Sequence, residues 1–212
     1  MDNISVIIRN RNEERYIGYA IQSVLDTFEE PEIIVIDNNS TDESMSIVKS
    51  FNFSNIKTYN IDGYSPGKSL NYGVAKCSND YILVLSAHSQ IINCEFGKIK
   101  GLLDEYCVVG GKQIPIYKGK KISRRYVWSN FEEHDIINQV SESENRYFLH
   151  NAFAFYTKQT LIKYPFDENL AGKEDRYWVN DRIKEGMDSY YDSVTTCHHH
   201  YTDNGATWKG IG

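Results

Sequence analysis

The sequence predicts an α/β fold built on a mainly parallel sheet. Short β-branched or aliphatic runs of strand length recur through the first hundred residues, at 4–8, 33–36, 56–61 and 81–85. They are largely apolar rather than alternating, the pattern of strands buried on both faces. Between them lie segments with apolar residues at helical spacing or with helix start signals. Strands alternating with amphipathic helices imply a sheet covered by helices on both sides.

In chain order, ISVII at 4–8 is the first strand, and residues 13–28 follow as a helix whose apolar stripe is Ile17, Ala20, Ile21, Val24, Leu25 and Phe28. Pro31 closes the loop before the second strand at 33–36. Asn39-Ser40-Thr41-Asp42-Glu43 is a helix start signal, followed by Met45, Ile47, Val48 and Phe51 on one face. The third strand (56–61), third helix (67–76) and fourth strand (81–85) complete the pattern. The remainder is less regular. Residues 108–116 read as extended, 131–145 as a mobile loop or short helix, 147–156 as a strand, and 159–163 and 174–185 as helices. No linker, internal repeat or domain boundary is visible.

A net charge of −6 over 212 residues argues against a general nucleic-acid binder, although a local basic pocket can still hold one small anion. Cys77, Cys94, Cys107 and Cys197 contain no CxxC pair and read as reduced thiols of a cytoplasmic protein. The start MDNISVIIRNRNEE lacks the pattern of a signal peptide, and the apolar runs fall short of a membrane span.

Ligands of open α/β sheets bind beyond the strand C-termini, here residues 9–12, 37–40, 63–68 and 86–90. Asp37 could accept from a ribose hydroxyl or a base N–H, or could simply build an Asx turn. Gly67 and Lys68 open a helix whose N-terminus suits a phosphate. Neither a Walker loop nor a GxGxxG motif is present. Glu174 and Asp175 open another helix, where first-turn acids complement the dipole.

Four segments in order, ISVIIRNRNEERYIGYAIQSVL, IIVIDNNSTDESMSIVKSF, SPGKSLNYGVAKCSNDYILVLSAHSQ and PFDENLAGKEDRYWVNDRIKEG, resemble the family 2 glycosyltransferases. The resemblance implies a single GT-A domain over 1–212, with a nucleotide-binding half (1–110) and an acceptor and catalytic half (111–212). It implies a nucleotide-sugar donor, a glycan or lipid-linked acceptor, surface-polysaccharide synthesis and inversion at the anomeric carbon. By position, Arg9, Asn12, Asp37, Lys68, Ser86 and Ala87 would line the donor site, with Gln113, His150 and Asn151 facing sugar. Asp175 would be the general base, and Glu174 would combine capping with a place in the site. Since relatives often run further, this chain could also be a piece of a longer one.

One departure matters. Where the family has Asp-x-Asp holding a divalent cation, this chain has Ser86-Ala87-His88-Ser89-Gln90, as in a rhamnosyltransferase-like branch that also has a Gly-Lys-Gln-Ile-Pro stretch like 111–115. A normal Mg²⁺ site is therefore in doubt. His88 could stabilise the leaving diphosphate as an imidazolium, or could join the 197–200 histidine cluster as a ligand of Mn²⁺ or Zn²⁺. If that cluster is extended, His198 and His200 share a face and are expected at the diphosphate or a metal. Trp128, Trp178 and Trp208 could stack on sugar, Trp178 being better placed for the core. The basic run Lys118, Lys120, Lys121, Arg124 and Arg125 is either solvated surface or a contact with anionic lipid or acidic glycan, which would place the protein peripherally at the inner membrane face. The rival function is a catalytically degenerate nucleotide-sugar-binding module acting with a partner protein.

Overall fold

The computed structural model describes residues 2–121 and 126–205. The first half contains β1 (Ile4–Asn10), α1 (Ile17–Thr27), β2 (Glu32–Asp37), α2 (Ser44–Ser50), β3 (Ile56–Asn60), α3 (Pro66–Lys76), β4 (Tyr81–Ser86), β5 (Ser89–Asn93) and α4 (Phe96–Leu103). The second half contains β6 (Val108–Tyr117), β7 (Lys120–Lys121), a 3₁₀ turn (Tyr126–Asn130), β8 (Ile136–Ile137), β9 (Val140–Ser141) and β10 (Arg146–Tyr147). It ends with β11 (Phe153–Thr157), α5 (Lys158–Lys163), α6 (Glu174–Lys184) and β12 (Ser189–His200).

The main sheet runs β3-β2-β1-β4-β11-β6-β12-β5. β1 to β4 are parallel, β11 enters antiparallel between β4 and β6, and β12 lies parallel to β6 and antiparallel to β5. β6 runs across 110–111, where the sequence puts the boundary between two halves, so the two stretches share a strand.

Burial explains the layers. Ile4, Val6 and Ile8 of β1 face Ile17, Ala20, Ile21 and Val24 of α1, all fully buried. Ile7, between them in sequence, faces the opposite side with Leu70 and Val74 of α3 and Trp178 and Val179 of α6. The period of two in the strand therefore meets two helix layers, which is why the strands carry apolar residues on both faces. Gly73 lets α3 close on β1, since a Cβ there would stand 2.8 Å from Ile7. Trp178 is core, its indole N–H donating to the Tyr164 carbonyl at 2.7 Å.

The first four strands and the α3, α5 and α6 helices stand where the sequence puts them. Residues 131–145 contain no helix; short strand pairs and turns occupy them. The stretch 147–156 is strand only at its two ends, Tyr147 in β10 and 153–156 in β11, because residues 148–152 turn aside to meet α6 and Asn151 N–H donates to the Asp175 carboxylate at 2.9 Å. The segment 86–90 is a two-residue turn between β4 and β5 rather than an open loop. Cys77, Cys107 and Cys197 are buried and Cys94 half-buried, all four as free thiols. Lys118, Lys120 and Lys121 are exposed on the β6–β7 hairpin, while Arg124, Arg125 and Trp208 lie outside the described residues. Among the described residues no helix is long and apolar enough to cross a membrane.

Candidate active site at the strand ends

Parallel register sets the floor of the site. Asn10 lies opposite Asp37 across β1 and β2, and Arg9 opposite Ser86 across β1 and β4. The chain order reverses at β1, which makes this end of the sheet the switch-point crevice. Asp37 is buried there, and its carboxylate accepts from Asn10 Nδ2 at 2.8 Å, Ser40 Oγ at 2.6 Å and Ser40 N–H at 3.0 Å. Asn12, in the left-handed region with φ of 53°, accepts from Thr41 N–H at 2.7 Å and donates its own N–H to Ser40 Oγ at 2.9 Å. Asp37 thus holds a tight Asx-type turn at the β2 end of the crevice.

Ser65 caps α3 by accepting Lys68 N–H at 3.1 Å, with Pro66 in the first turn. The Lys68 ammonium donates to the carbonyls of Asp62 at 2.6 Å and Gly63 at 3.2 Å, at one side of a groove lined by Asn60, Ile61, Asn71, Tyr72 and Glu168. The sequence places Gly67 beside a phosphate; the structure gives it another task. A Cβ there would collide with the Asp167 carbonyl, so Gly67 lets the segment leading into α6 lie on α3. Asn71 clamps the same segment, donating to the Phe166 carbonyl at 2.9 Å and accepting its N–H at 3.0 Å.

That clamp delivers the acid pair. Glu174 is buried and accepts from Arg9 Nη1 at 3.0 Å, joining α6 to the end of β1 across 165 residues of sequence. Burial and the adjacent Asp175 raise the Glu174 carboxyl above its ordinary value. Asp175 is also buried and accepts from Asn151 N–H at 2.9 Å and from Arg176 Nη1 at 3.0 Å. Burial opposes its charge, yet the Arg176 guanidinium and the Asn151 N–H hold it below the ordinary aspartate value. Arg176 is itself turned by Glu144, to whose Oε1 its Nε donates at 3.2 Å, and lies over the Phe148 ring. Asn151 completes the wall: its Oδ1 accepts from Tyr156, while its buried Nδ2 has no hydrogen-bond partner among the described residues. His150 is buried and neutral, burial and Arg176 lowering its pKa to about 3.

Ser86, buried Ala87 and His88 form the turn after β4. His88 Nδ1 stands 3.2 Å from Glu13 Oε1, and its Nε2 stands 3.0 Å from Nε2 of His199. His199 Nδ1 meets Gln113 Oε1 at 2.8 Å, and Gln113 Nε2 donates to the His150 carbonyl at 3.1 Å. Of the three histidines it is His199 whose ring meets the His88 ring, not His198 or His200 as the sequence suggests; His200 reaches His88 through its backbone N–H, which donates to the His88 carbonyl at 2.9 Å. Irregularities between Asp192 and Cys197 set the phase of β12 so that Cys197 and His199 are buried on one face. His198 and His200 share the other face, where His200 stacks on Tyr16 at 4.8 Å.

The donor set at this turn does not fit a resident divalent cation. Two imidazoles engage one another and Glu13 already binds His88, whereas hard cations require several oxygen ligands. Among the described residues no group of three or more His, Cys, Asp or Glu is arranged to hold a metal.

Sequence reasoning missed Glu13, His199, Arg176 and Glu144. The sequence reads Glu13 only as the start of a helix over 13–28, whereas α1 begins at Ile17; the signal was its position just past β1, at the strand-end crevice.

Residues 5–165 match the sequence model of Glycosyl transferase family 2. The chain is 25% identical over 186 residues to the GalNAc(5)-diNAcBac-PP-undecaprenol beta-1,3-glucosyltransferase of Campylobacter jejuni, covering 85% of this chain and 60% of that one. It is 24% identical over 184 residues to the O-antigen chain rhamnosyltransferase RfbN of Salmonella typhimurium, covering 80% of this chain and 58% of that one. The chain therefore spans no more than about three fifths of either relative's length. A TarS fragment of S. aureus, solved with UDP-GlcNAc, superposes with a TM-score of 0.72 at 21% identity over 95% of this chain and 59% of that one. A match over most of the chain, with the GT-A fold to carry it, means that the chain belongs to glycosyl transferase family 2.

Proposed function

We propose that the protein moves a sugar from a nucleotide-sugar donor to a glycan or lipid-linked acceptor, with inversion, in the synthesis of a surface polysaccharide. One observation carries the reading: Arg9 draws Glu174 to the end of β1, which sets the buried, ionised Asp175 at the strand-end crevice. Asp175 takes the proton of an acceptor hydroxyl while that oxygen bonds to the anomeric carbon. The bond from that carbon to the β-phosphate oxygen breaks on the opposite face, its electron pair leaving with the nucleoside diphosphate. Asp37 and Lys68 border the nucleotide, with Arg9, Asn12, Ser86 and Ala87 around it, and Gln113 and Asn151 face sugar. The unpartnered Asn151 Nδ2 supports that last assignment, since a sugar oxygen would satisfy it. His88 supplies positive charge near the diphosphate. The exposed Lys118, Lys120 and Lys121 suit the anionic headgroup of a lipid-linked acceptor at the inner membrane face.

A non-catalytic binding module would have no use for an ionised carboxylate kept in a buried wall at the cost of two further charges, Arg176 and Glu144. Thermal shifts against UDP, GDP, dTDP and CMP sugars identify the donor, because a ligand bound to the folded state stabilises it by mass action. With that donor, Asp175→Asn is expected to lower transfer by about 10²–10⁴-fold while the donor still binds. Near-normal transfer by the variant would remove Asp175 from the base role.

A further inference from the structure

The hydrogen bonds around His88 can be counted proton by proton. Gln113 Nε2 lies 3.1 Å from the His150 carbonyl, which can only accept, so the amide must present its Oε1 to His199. That oxygen also only accepts, and His199 Nδ1 must therefore carry a proton. The Glu13 carboxylate, 3.2 Å from His88 Nδ1, requires a proton there as well, since imidazole outcompetes carboxylate for one. The two Nε2 atoms, 3.0 Å apart, need one proton between them. Four ring nitrogens thus share three protons, and one ring is a cation.

The surroundings decide which ring. His199 is 1% exposed, and burial together with His88, His150 and His200 holds it well below the ordinary histidine value. Among the described residues, the groups facing His88 are Glu13 from the loop after β1, Ser86 from β4, His199 and His200 from β12, and His150 from the loop before β11. Glu13 is the anion among them, and Thr202 Oγ1 holds the same carboxylate oxygen at 3.1 Å.

We propose that Glu13 is a positioning residue that keeps His88 doubly protonated, as the fixed cation beside the donor diphosphate, with Gln113 and His199 fixing the remaining protons. The role beside the diphosphate rests on the glycosyl-transfer reading; the proton count does not. Glu13 acts through His88 and touches no substrate. A resident imidazolium would supply charge from within the fold at the place where the sequence lacks an acid pair.

Long-range ¹H–¹⁵N spectra of the imidazoles test it, with His88 and His199 assigned from His88→Asn and His199→Asn. At pH 7.5 wild-type His88 is expected to show two protonated nitrogens, and His199 to be neutral with its proton on Nδ1. A neutral His88 overturns the proposal, and this reading needs no Glu13 variant to fold. In Glu13→Gln, His88 is expected to be neutral at pH 7.5. Affinity for the nucleoside diphosphate that wild type prefers among UDP, GDP, dTDP and CDP should then fall about tenfold, one pH unit's worth, and recover toward pH 5.5. Equal loss at both pH values, or an unchanged His88 spectrum, makes Glu13 merely structural and overturns its positioning role. An imidazolium His88 in a protein that binds none of these nucleotides would instead sink the glycosyl-transfer reading and leave the proton count standing.

Discussion

Along the ends of β1 and β2, buried polarity is handled by short turns. Asn10, Asn12, Asp37 and Ser40 answer one another within about three residues of a strand end, and the one charge among them is wrapped by amide and hydroxyl donors. Under α6 and β12 the buried groups are ionisable, and most partners come from far along the chain: Arg9 with Glu174, Glu13 with His88, and Arg176 with Glu144 as well as with its neighbour Asp175. The first arrangement stabilises a loop shape. The second holds carboxylates against guanidinium and imidazole groups at low solvent exposure, where each interaction is stronger than it would be in water. If that contrast is right, disturbing the ionic side should cost much more than disturbing the turn.

Among single substitutions the largest stability effect is expected from Glu174→Gln. It leaves the Arg9 guanidinium without its carboxylate at a site where the arginine side chain is 20% exposed. Breaking a buried pair from one side costs about 3–5 kcal/mol, and partial exposure of Arg9 brings the expectation to about 2–3 kcal/mol. Thermal unfolding should move down by roughly 4–12 °C. A shift too small to measure would mean that the tie between α6 and β1 is ornamental, and the contrast would lose its clearest member.

Acid should act next. His150 and His199 are both kept below the ordinary histidine value, chiefly by burial. The unfolded chain therefore binds protons that the folded chain refuses, and stability is lost as pH falls below about 6.5. The loss approaches about 1.4 kcal/mol per pH unit for each ring, and for His150 it continues toward its value of about 3. Urea midpoints measured between pH 7 and pH 5 should fall steeply, and His150→Leu should flatten that slope by one ring's share. An unchanged slope in the variant would show that His150 takes up its proton without unfolding.

How much of this was legible follows from the range of the interactions. The parallel half announced itself because each strand and helix carries its own periodicity, and the strand ends 9–12 and 37–40 could be named from topology alone. Asp175 stood in a short motif that the family resemblance singled out. Glu13 and His199 did not, because each matters through a partner 75 and 111 residues from it, His88. The choice of His199 over its neighbours turned on irregularities in β12, and a one-residue change of phase exchanges the two faces of a strand. Gly67 misled for a related reason: a glycine before a helix suggests a ligand approaching, whereas here the approaching group is the Asp167 carbonyl from a later part of the chain.

The smallest effect should come from the turn. Ser40 Oγ donates to Asp37 at 2.6 Å and accepts from the Asn12 N–H at 2.9 Å and Asn10 Nδ2 at 3.1 Å. Ser40→Ala deletes all three, but Asp37 keeps the Asn10 and Ser40 backbone donors, and Asn10 keeps Asp37 and Ser44. Each lost neutral bond is worth about 0.5–1.5 kcal/mol in net terms, and such losses within one network are not additive. Half-buried Ser40 also lets water replace part of what is removed, so the expected loss is about 1 kcal/mol by urea unfolding. Sugar transfer should be untouched once donor is saturating, while donor affinity falls by no more than the loosened loop allows. A cost above about 3 kcal/mol would place this turn in the range of the buried ion pairs. The two sides of the crevice would then differ in chemistry but not in how firmly they hold, and the stability argument for separating them would fail.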